Sequence, residues 1–266
     1  MENDSRRLVA VATVSSLLLI FVFASIYGLA QEDTSKPNKK FESLPILELA
    51  EEYKSKLDEK RRKRNSKYDI KDPGIDLQPL ILKEDSRSVL YAYPISHAPE
   101  EPAFPIPTSD VIVVGKILSS EAHLSNDRAT VYSEFEASVE SVLRGKQLID
   151  RRETIMAERL GGGIKFPSGK LVLRPNVLGR NAPSVGGRYV LFLRANDGDI
   201  SFSIITGYRL DGGKVYPLDF TPEGERQLQI YAGYEKYKNV DETVFWRDLN
   251  MALRQESPNN GGSRVQ

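Results

Sequence analysis

Hydrophobic and polar positions divide the chain into three unlike parts. An unbroken apolar run extends from Leu8 to Ala30, a charged and proline-containing stretch follows, and short alternating apolar and polar runs begin at Asp110. A helix made of the apolar run, about 23 residues, spans roughly 34 Å, against about 30 Å for the hydrocarbon core of a bilayer. The pattern therefore predicts that residues 1–30 are a signal anchor or a signal peptide.

The flanks of this run predict its direction across the membrane. Arg6 and Arg7 stand immediately before Leu8, and basic residues at that end keep it cytoplasmic, so that everything after Ala30 is exported. Gly28 and Ala30 offer a cleavage site, but the run is longer than the usual signal core of about 7–15 residues, which favours retention. We expect a single-pass membrane protein with an extracytoplasmic carboxy-terminal part, or a secreted or periplasmic protein if the leader is cleaved.

Residues 31–108 are predicted to be a charged helical segment and a proline-rich connector. Apolar residues from Ile46 to Leu57 recur at spacings of three and four, which indicates a helix, and Ser43 could cap it. The stretch after Lys71, up to Thr108, is rich in proline and lacks periodicity. It is typical of an extended connector or of a strap lying over the domain that follows.

Residues 109–256 are predicted to form the folded domain. Alternating or continuous apolar runs indicate short strands near Val111–Leu118, 129–142, 153–160, 189–193, 202–208 and 215–216. Three consecutive glycines, Gly161–Gly163, are expected to interrupt the pattern. Several short strands joined by glycine-rich turns favour a mainly β fold, a small OB-like closed barrel of five or six strands, over a sandwich.

The remainder of the chain is predicted to be helical and then disordered. Two carboxy-terminal helices, near 222–238 and 241–255, are expected to pack on the barrel, and the tyrosines at 231, 234 and 237 to cover it. Residues 257–266 form a polar tail predicted to be disordered.

Four segments carry a resemblance to known families: Asp110–Ile117, Val139–Gly145, Gly161–Gly163 and Gly187–Leu193. Together they resemble a recurrent pattern of exported bacterial β-barrel proteins of unassigned function. More distantly, they are similar to the OB-like barrel of netrin-like and metalloproteinase-inhibitor modules. The resemblance covers roughly residues 110–219 and implies a fold and a compartment. The inhibitors' amino-terminal zinc-binding cysteine has no counterpart here, so inhibition is not implied.

Composition narrows the classes of function. The chain has 37 basic and 37 acidic residues, so it offers no long-range positive field, and we expect no nucleic-acid partner. It has no cysteine, which excludes disulfides, thiol nucleophiles and cysteine-ligated metals. The two histidines, His97 and His123, lie in unlike contexts and predict no shared metal site. No cofactor is expected.

Catalytic motifs are absent from the sequence. No serine lies in a Gly-x-Ser-x-Gly elbow, and no phosphate-binding loop follows the glycines at 161–163. Glu134, Glu136 and Glu140 share one face of a predicted strand and could form an acid/base pair or a cation site. The commoner interpretation is that this row is the solvent-exposed side of a sheet.

Two basic clusters are the candidate binding residues. The first is Lys60, Arg61, Arg62, Lys63 and Arg64, and the second is Arg144, Lys146, Arg151 and Arg152. The first could meet anionic lipid head groups or an acidic envelope polymer, and the second an acidic partner such as an envelope protein. For both clusters, ordinary solvated charge is the commoner interpretation. The sequence thus favours an extracytoplasmic binding module of unknown ligand. The alternative is a carboxylate-dependent hydrolase or glycosidase-like enzyme, which needs two converging acidic side chains.

Overall fold

The computed structural model describes residues 45–48, 59–71, 83, 85, 101–149, 153–175, 179–197, 200–220 and 231–256. The strands are β1 (Ile46–Glu48), β2 (Val111–Leu124), β3 (Val131–Arg144), β4 (Thr154–Lys165), β5 (Leu171–Pro175), β6 (Arg188–Ala195), β7 (Ser201–Asp211), β8 (Lys214–Pro217) and β9 (Val240–Asp241). The helices are α1 (Glu59–Asn65), α2 (Lys146–Ile149), α3 (Ala232–Glu235) and α4 (Glu242–Glu256), and a 3-10 turn, Ser66–Tyr68, follows α1.

Five strands close into a barrel, which confirms the mainly β prediction. The hydrogen-bonded order is β2–β3–β4–β7–β6, and β6 returns to β2. All of these pairs are antiparallel except β4 with β7, which is parallel. Closure removes the exposed strand edges, and the arrangement is consistent with an OB-like barrel.

The three glycines do not end β4, contrary to the prediction. They carry the strand out of the barrel, because Thr154–Leu160 pairs with β3 whereas Gly161–Lys165 pairs with β5 and β1. Gly161 adopts a φ of 117°, which a residue with a side chain rarely adopts. A Cβ on Gly162 would lie 2.7 Å from the Val131 side chain, so the bend also needs a small residue.

Two large apolar clusters lie on either side of the barrel wall. The interior cluster includes Val113, Phe135, Ala157 and Leu191. The second cluster lies outside β2, β6 and β7, where α4 and the tyrosines at 231, 234 and 237 cover the wall with Phe192 and Tyr208. All three tyrosines are buried, as predicted.

Other local predictions had mixed outcomes. The predicted strands from Val111 onward are confirmed as β2, β3, β4, β6, β7 and β8, and the helix near 241–255 as α4, whereas β5 and β9 were not predicted. The helix predicted from Ile46 is wrong at its start, since Ile46–Glu48 pairs with β4 as a parallel strand. In the described part of the predicted helix near 222–238, only the single turn α3 is helical. The apolar run from 8 to 30 and the tail from 257 lie outside the described residues.

The described helices do not test the membrane prediction, because the apolar run that carries it lies outside the described residues. Among the helices that the structure describes, none combines the length and the apolar character that crossing a bilayer requires.

Candidate functional site

One polar surface of the barrel is covered by a segment of the chain itself. The segment comprises α1, the 3-10 turn and the residues up to 71, and we call residues 59–71 the strap. It lies against the outer side of β3 and β4, where it meets Tyr132, Glu134 and Glu158. We call these three residues the acidic face. The strap is remote in sequence from β3 and β4, so this contact belongs to the tertiary structure alone.

The two carboxylates of the acidic face are neighbours across two strands. Glu134 on β3 stands opposite Glu158 on β4 in the antiparallel register. Their neighbours Phe135 and Ala157 point into the barrel, so alternation turns both glutamates outward. Directly opposed residues have Cβ atoms about 4.5–5.5 Å apart. An outward position normally means solvent, yet the side chains are only 5% and 1% exposed.

Two arginines of the strap neutralise Glu134. Arg61 Nη1 donates to Glu134 Oε1 at 2.6 Å, and Arg64 Nη1 donates to the same oxygen at 3.2 Å. The two residues are three apart on α1 and therefore share one helix face. Arg61 Nη1 also lies 3.2 Å from the Tyr132 hydroxyl. Charge-assisted hydrogen bonds such as these are about twice as strong as neutral ones.

Glu158 has a different set of partners. Asn196 Nδ2 donates to Glu158 Oε1 at 2.6 Å, and the same oxygen lies 3.5 Å from Lys67 Nζ. Ser203 Oγ donates to Asn196 Oδ1 at 2.7 Å and holds the amide in place. Glu158 Oε2 is buried and makes no hydrogen bond of normal geometry among the described residues, although the Tyr68 side chain interacts with the carboxylate and lowers its pKa. The strap thus satisfies Glu134 more fully than Glu158.

An aromatic pair completes the contact. The rings of Tyr68 and Tyr132 stack with centroids 4.0 Å apart and planes 13° from parallel. The Tyr132 hydroxyl donates to Asn65 Oδ1 at 2.8 Å, and Asn65 is fully buried. The stacked geometry stabilises the contact beyond the effect of burying the apolar surface of the two rings.

The turn between β2 and β3 holds the far end of the strap through its backbone. Ile70 N donates to Asp127 Oδ2 at 2.7 Å, and Thr130 Oγ1 donates to the backbone oxygen of Tyr68 at 2.6 Å. Asn126 Nδ2 donates to the backbone oxygen of Arg62 at 2.9 Å. These hydrogen bonds fix the position of the strap backbone. The charged contacts with Glu134 and Glu158 are made by the side chains of Arg61, Arg64 and Lys67.

The pKa values of the two carboxylates are shifted in opposite directions. Burial alone would raise the pKa of Glu134, but His123 and Arg61 outweigh it and lower the pKa to about 2. Burial raises the pKa of Glu158, and the charge of Lys67 offsets only part of that effect. Burial, with the nearby Glu158 carboxylate, also raises the pKa of Tyr68. Glu134 therefore keeps its charge to lower pH than a free glutamate does, whereas Glu158 takes up a proton at higher pH than a free glutamate does.

His123 lies beside this arrangement on β2. Its Nε2 is 3.3 Å from Glu134 Oε2 and 3.7 Å from Glu121 Oε2. Among the described residues, no three histidine, aspartate or glutamate side chains are grouped so that they could hold a metal ion. His97 lies outside the described residues.

The structure splits the first predicted basic cluster in two. Arg61 and Arg64 face the barrel, whereas Lys60, Arg62 and Lys63 are exposed. At 100° per residue, Arg62 and Lys63 lie about 130° around the axis of α1 from the midpoint of Arg61 and Arg64, and Lys60 lies about 70° from that midpoint. We call Lys60, Arg62 and Lys63 the outer basic residues.

The second predicted basic cluster lies elsewhere. Arg144 ends β3 and Lys146 begins α2, at the opposite end of β3 from Glu134. Arg144 is half-buried and Lys146 is exposed. Arg151 and Arg152 lie outside the described residues. The described members of this cluster therefore do not join the outer basic residues on one surface.

Sequence reasoning placed Glu134 on the solvent side of a sheet, and this interpretation is wrong. Two other glutamates of the predicted row do reach solvent as expected: Glu136 is half-buried and Glu140 is exposed. Glu134 and the unpredicted Glu158 are buried under the strap. The one signal in the sequence was charge complementarity between the basic run at 60–64 and acidic residues on neighbouring strands. That signal does not specify which acidic residues are met.

Comparisons with family models, with curated proteins and with solved structures found no match for this chain. The class of protein to which this chain belongs is therefore defined by its fold and its site alone. It is a closed five-strand barrel whose inner surface is apolar, and whose outer acidic face is occupied by a basic segment of the same polypeptide.

Proposed function

We propose that this protein is an extracytoplasmic binding module, held at the membrane by the apolar run at 8–30 or secreted after its removal. Its barrel belongs with the OB-like modules, and its ligand is an acidic polymer or anionic surface of the cell envelope. The single observation that carries the proposal is that the strap is docked with Lys60, Arg62 and Lys63 pointing into solvent.

Docking makes these three residues a better binding surface than a free basic peptide. Arg61 and Arg64 are held on Glu134, so the backbone that presents the outer basic residues is already ordered. A polyanion that binds them does not have to order the segment, and less of the interaction energy is lost as conformational entropy. The zero net charge of the chain adds no long-range attraction for a polyanion, so binding depends on the local contact. Because that contact is between exposed charges, which salt screens, the affinity should decrease as the salt concentration rises.

The proposal is tested with the purified full chain in detergent and immobilised polyglutamate as the probe. A variant with Lys60, Arg62 and Lys63 changed to alanine should bind roughly 100-fold more weakly, at about 1 kcal/mol for each basic residue near an anionic surface. The control variant changes Lys116, Lys165 and Lys170, which are exposed and belong to β2, to β4 and to the turn before β5, not to α1. Equal binding by the two triple variants would contradict the proposal.

A second candidate function is a carboxylate-dependent hydrolase. The observation that favours it is the opposed pair Glu134 and Glu158, whose pKa values are shifted in opposite directions. Such a pair can divide the roles of general acid and base. Catalysis would require the strap to leave, because both side chains are buried beneath it. Turnover of a model glycoside or ester that increases in the Arg61→Ala/Arg64→Ala variant, and disappears on adding Glu134→Gln, would support this function.

A further inference from the structure

We infer that the acidic face is a recognition site for a cationic peptide segment bearing a tyrosine, and that the strap is the ligand that occupies it in the same chain. The inference concerns the inward side of the strap and does not depend on the proposed ligand of the outer basic residues. It assigns to Tyr132, Glu134 and Glu158 the role of binding a partner polypeptide.

The first argument is the contrast between the two covers of the barrel. The cover of β2, β6 and β7 is an apolar cluster in which Phe245 and Leu249 of α4 are buried against the barrel. None of the residues of the strap belongs to any of the three apolar clusters that the described residues form. Apolar contact makes a permanent core, whereas a polar and charge-paired contact is typical of exchangeable interfaces.

The second argument is that the contacts form a recognition pattern. Arginines at positions one turn apart meet Glu134, a lysine three residues further meets Glu158, and the next residue stacks its ring on Tyr132. Each side chain of the acidic face therefore contacts a different part of the strap: Glu134 binds the arginines, Glu158 binds the lysine, and Tyr132 stacks on the tyrosine ring. A peptide with the same basic and aromatic spacing can make the same contacts from another molecule.

The third argument is that the strap leaves the site incompletely filled. Glu158 Oε2 is buried and makes no hydrogen bond of normal geometry among the described residues, although the Tyr68 side chain of the strap interacts with this carboxylate and lowers its pKa. Asn65 Nδ2 of the strap is likewise buried without a partner of normal geometry among the described residues. Lysine offers a point charge, whereas an arginine can bind both oxygens of one carboxylate. A partner with arginine at the position of Lys67 would therefore satisfy Glu158 better than the strap does.

Covalent attachment gives the strap an advantage over any partner. A tethered segment has an effective concentration on the order of millimolar, so a peptide of equal intrinsic affinity is largely excluded. Weakening the strap should therefore open the site to a peptide, and this effect distinguishes a displaceable ligand from a fixed part of the fold.

The test measures binding of a fluorescent peptide of residues 59–71 to the purified full chain by anisotropy. The Arg61→Ala/Arg64→Ala variant should bind this peptide at least about tenfold more tightly than the unchanged protein, because the tethered competitor is weakened. The matched control is Lys60→Ala/Lys63→Ala, which has the same helix, the same spacing and the same change in charge, and it should bind like the unchanged protein. Adding Glu134→Gln to the first variant should abolish the gain.

A second measurement uses a protein in which the inward contacts are intact. Since the chain has no cysteine, Lys63→Cys introduces a single site for an environment-sensitive dye on the exposed side of α1. The peptide with arginine at the position of Lys67 should displace the strap at lower concentration than the peptide of the native sequence, and the dye signal should report it. A peptide with all basic residues replaced by glutamate should have no effect.

The inference is overturned if the weakened-strap variant, shown to be folded by its circular dichroism, binds the peptide no more tightly than the unchanged protein. It is also overturned if the tighter binding survives Glu134→Gln, because the peptide would then lie elsewhere. Loss of polyglutamate binding in the outer triple variant bears only on the proposed function, so the two failures are distinguishable.

Discussion

Arg61 Nη1 lies 2.6 Å from Glu134 Oε1, although 73 residues separate the two in the chain. This pair joins the strap to β3 and converts an outward strand position into a buried one. It also separates the basic run of α1 into residues that hold the strap and residues that face solvent. The arrangement of the site depends on this relationship, and its strength can be measured.

Glu134→Gln should loosen the strap without disrupting the barrel. Glutamine keeps the shape of the side chain but loses the charge that Arg61 and Arg64 bind, so we expect the free energy of unfolding to fall by about 1 to 3 kcal/mol. Hydrogen exchange at residues 59–71 should become faster through local opening, whereas exchange in β6 should increase by no more than the loss of global stability allows. Glu136→Gln, two residues further along β3, is the matched control, and equal effects from both substitutions would contradict this account.

Stability should vary with pH in two opposite steps. The raised pKa of Glu158 means that the folded protein binds the proton more readily, so stability increases as the pH falls towards 4.5, the ordinary glutamate value. The pKa of Glu134, about 2, means that the unfolded chain binds the proton first, so stability is lost as the pH falls from about 4.5 towards 2.

Denaturant titrations between pH 7 and pH 2 measure both steps. Glu158→Gln should remove the increase, and Glu134→Gln should weaken the loss at low pH. A curve that keeps both steps in both variants would mean that other groups are responsible.

Asp219→Ala should be among the most destabilising single substitutions. Asp219 Oδ2 accepts a 2.6 Å hydrogen bond from Arg159, and the two side chains are 1% and 5% exposed. Removing one partner leaves a buried guanidinium without its counter-ion, which costs about 3–5 kcal/mol. Glu48→Ala breaks the exposed pair with Lys165 and should cost less than about 1 kcal/mol. Thermal denaturation compares them, and similar midpoints would contradict the prediction.

Two glycines should respond differently to alanine. A Cβ on Gly115 would lie 2.2 Å from the backbone oxygen of Ser138, which cannot move without shifting β3. At Gly163 the nearest obstacle is the end of the Leu173 side chain, at 2.8 Å. Gly115→Ala should therefore destabilise by about 1–3 kcal/mol or more and Gly163→Ala by clearly less, as measured by urea unfolding. The reverse order would show that β2 and β3 can separate.

The parts of the fold that could be predicted are those set by local periodicity. Alternation around Phe135 and the apolar run at Val111 indicated β3 and β2, and the stripe through Phe245 and Leu249 indicated α4. Each signal lies within one element, because a two-residue or 3.6-residue period reports which side of that element is buried. The bend at Gly161 was missed because a run of glycines indicates a break and a curved strand equally well.

The sequence by itself determined β2, β3, β4, β6, β7, β8 and α4, and the existence of a dense basic segment at 60–64; it did not determine β1, β5 or β9. The tertiary structure alone decided that the barrel closes through the parallel pair β4 and β7, and that Glu134 and Glu158 are buried under Arg61, Arg64 and Lys67. The physical reason is that burial of a charge depends on a partner that arrives from a distant part of the chain. Periodicity within a strand shows which way a side chain points, and it does not show what covers it.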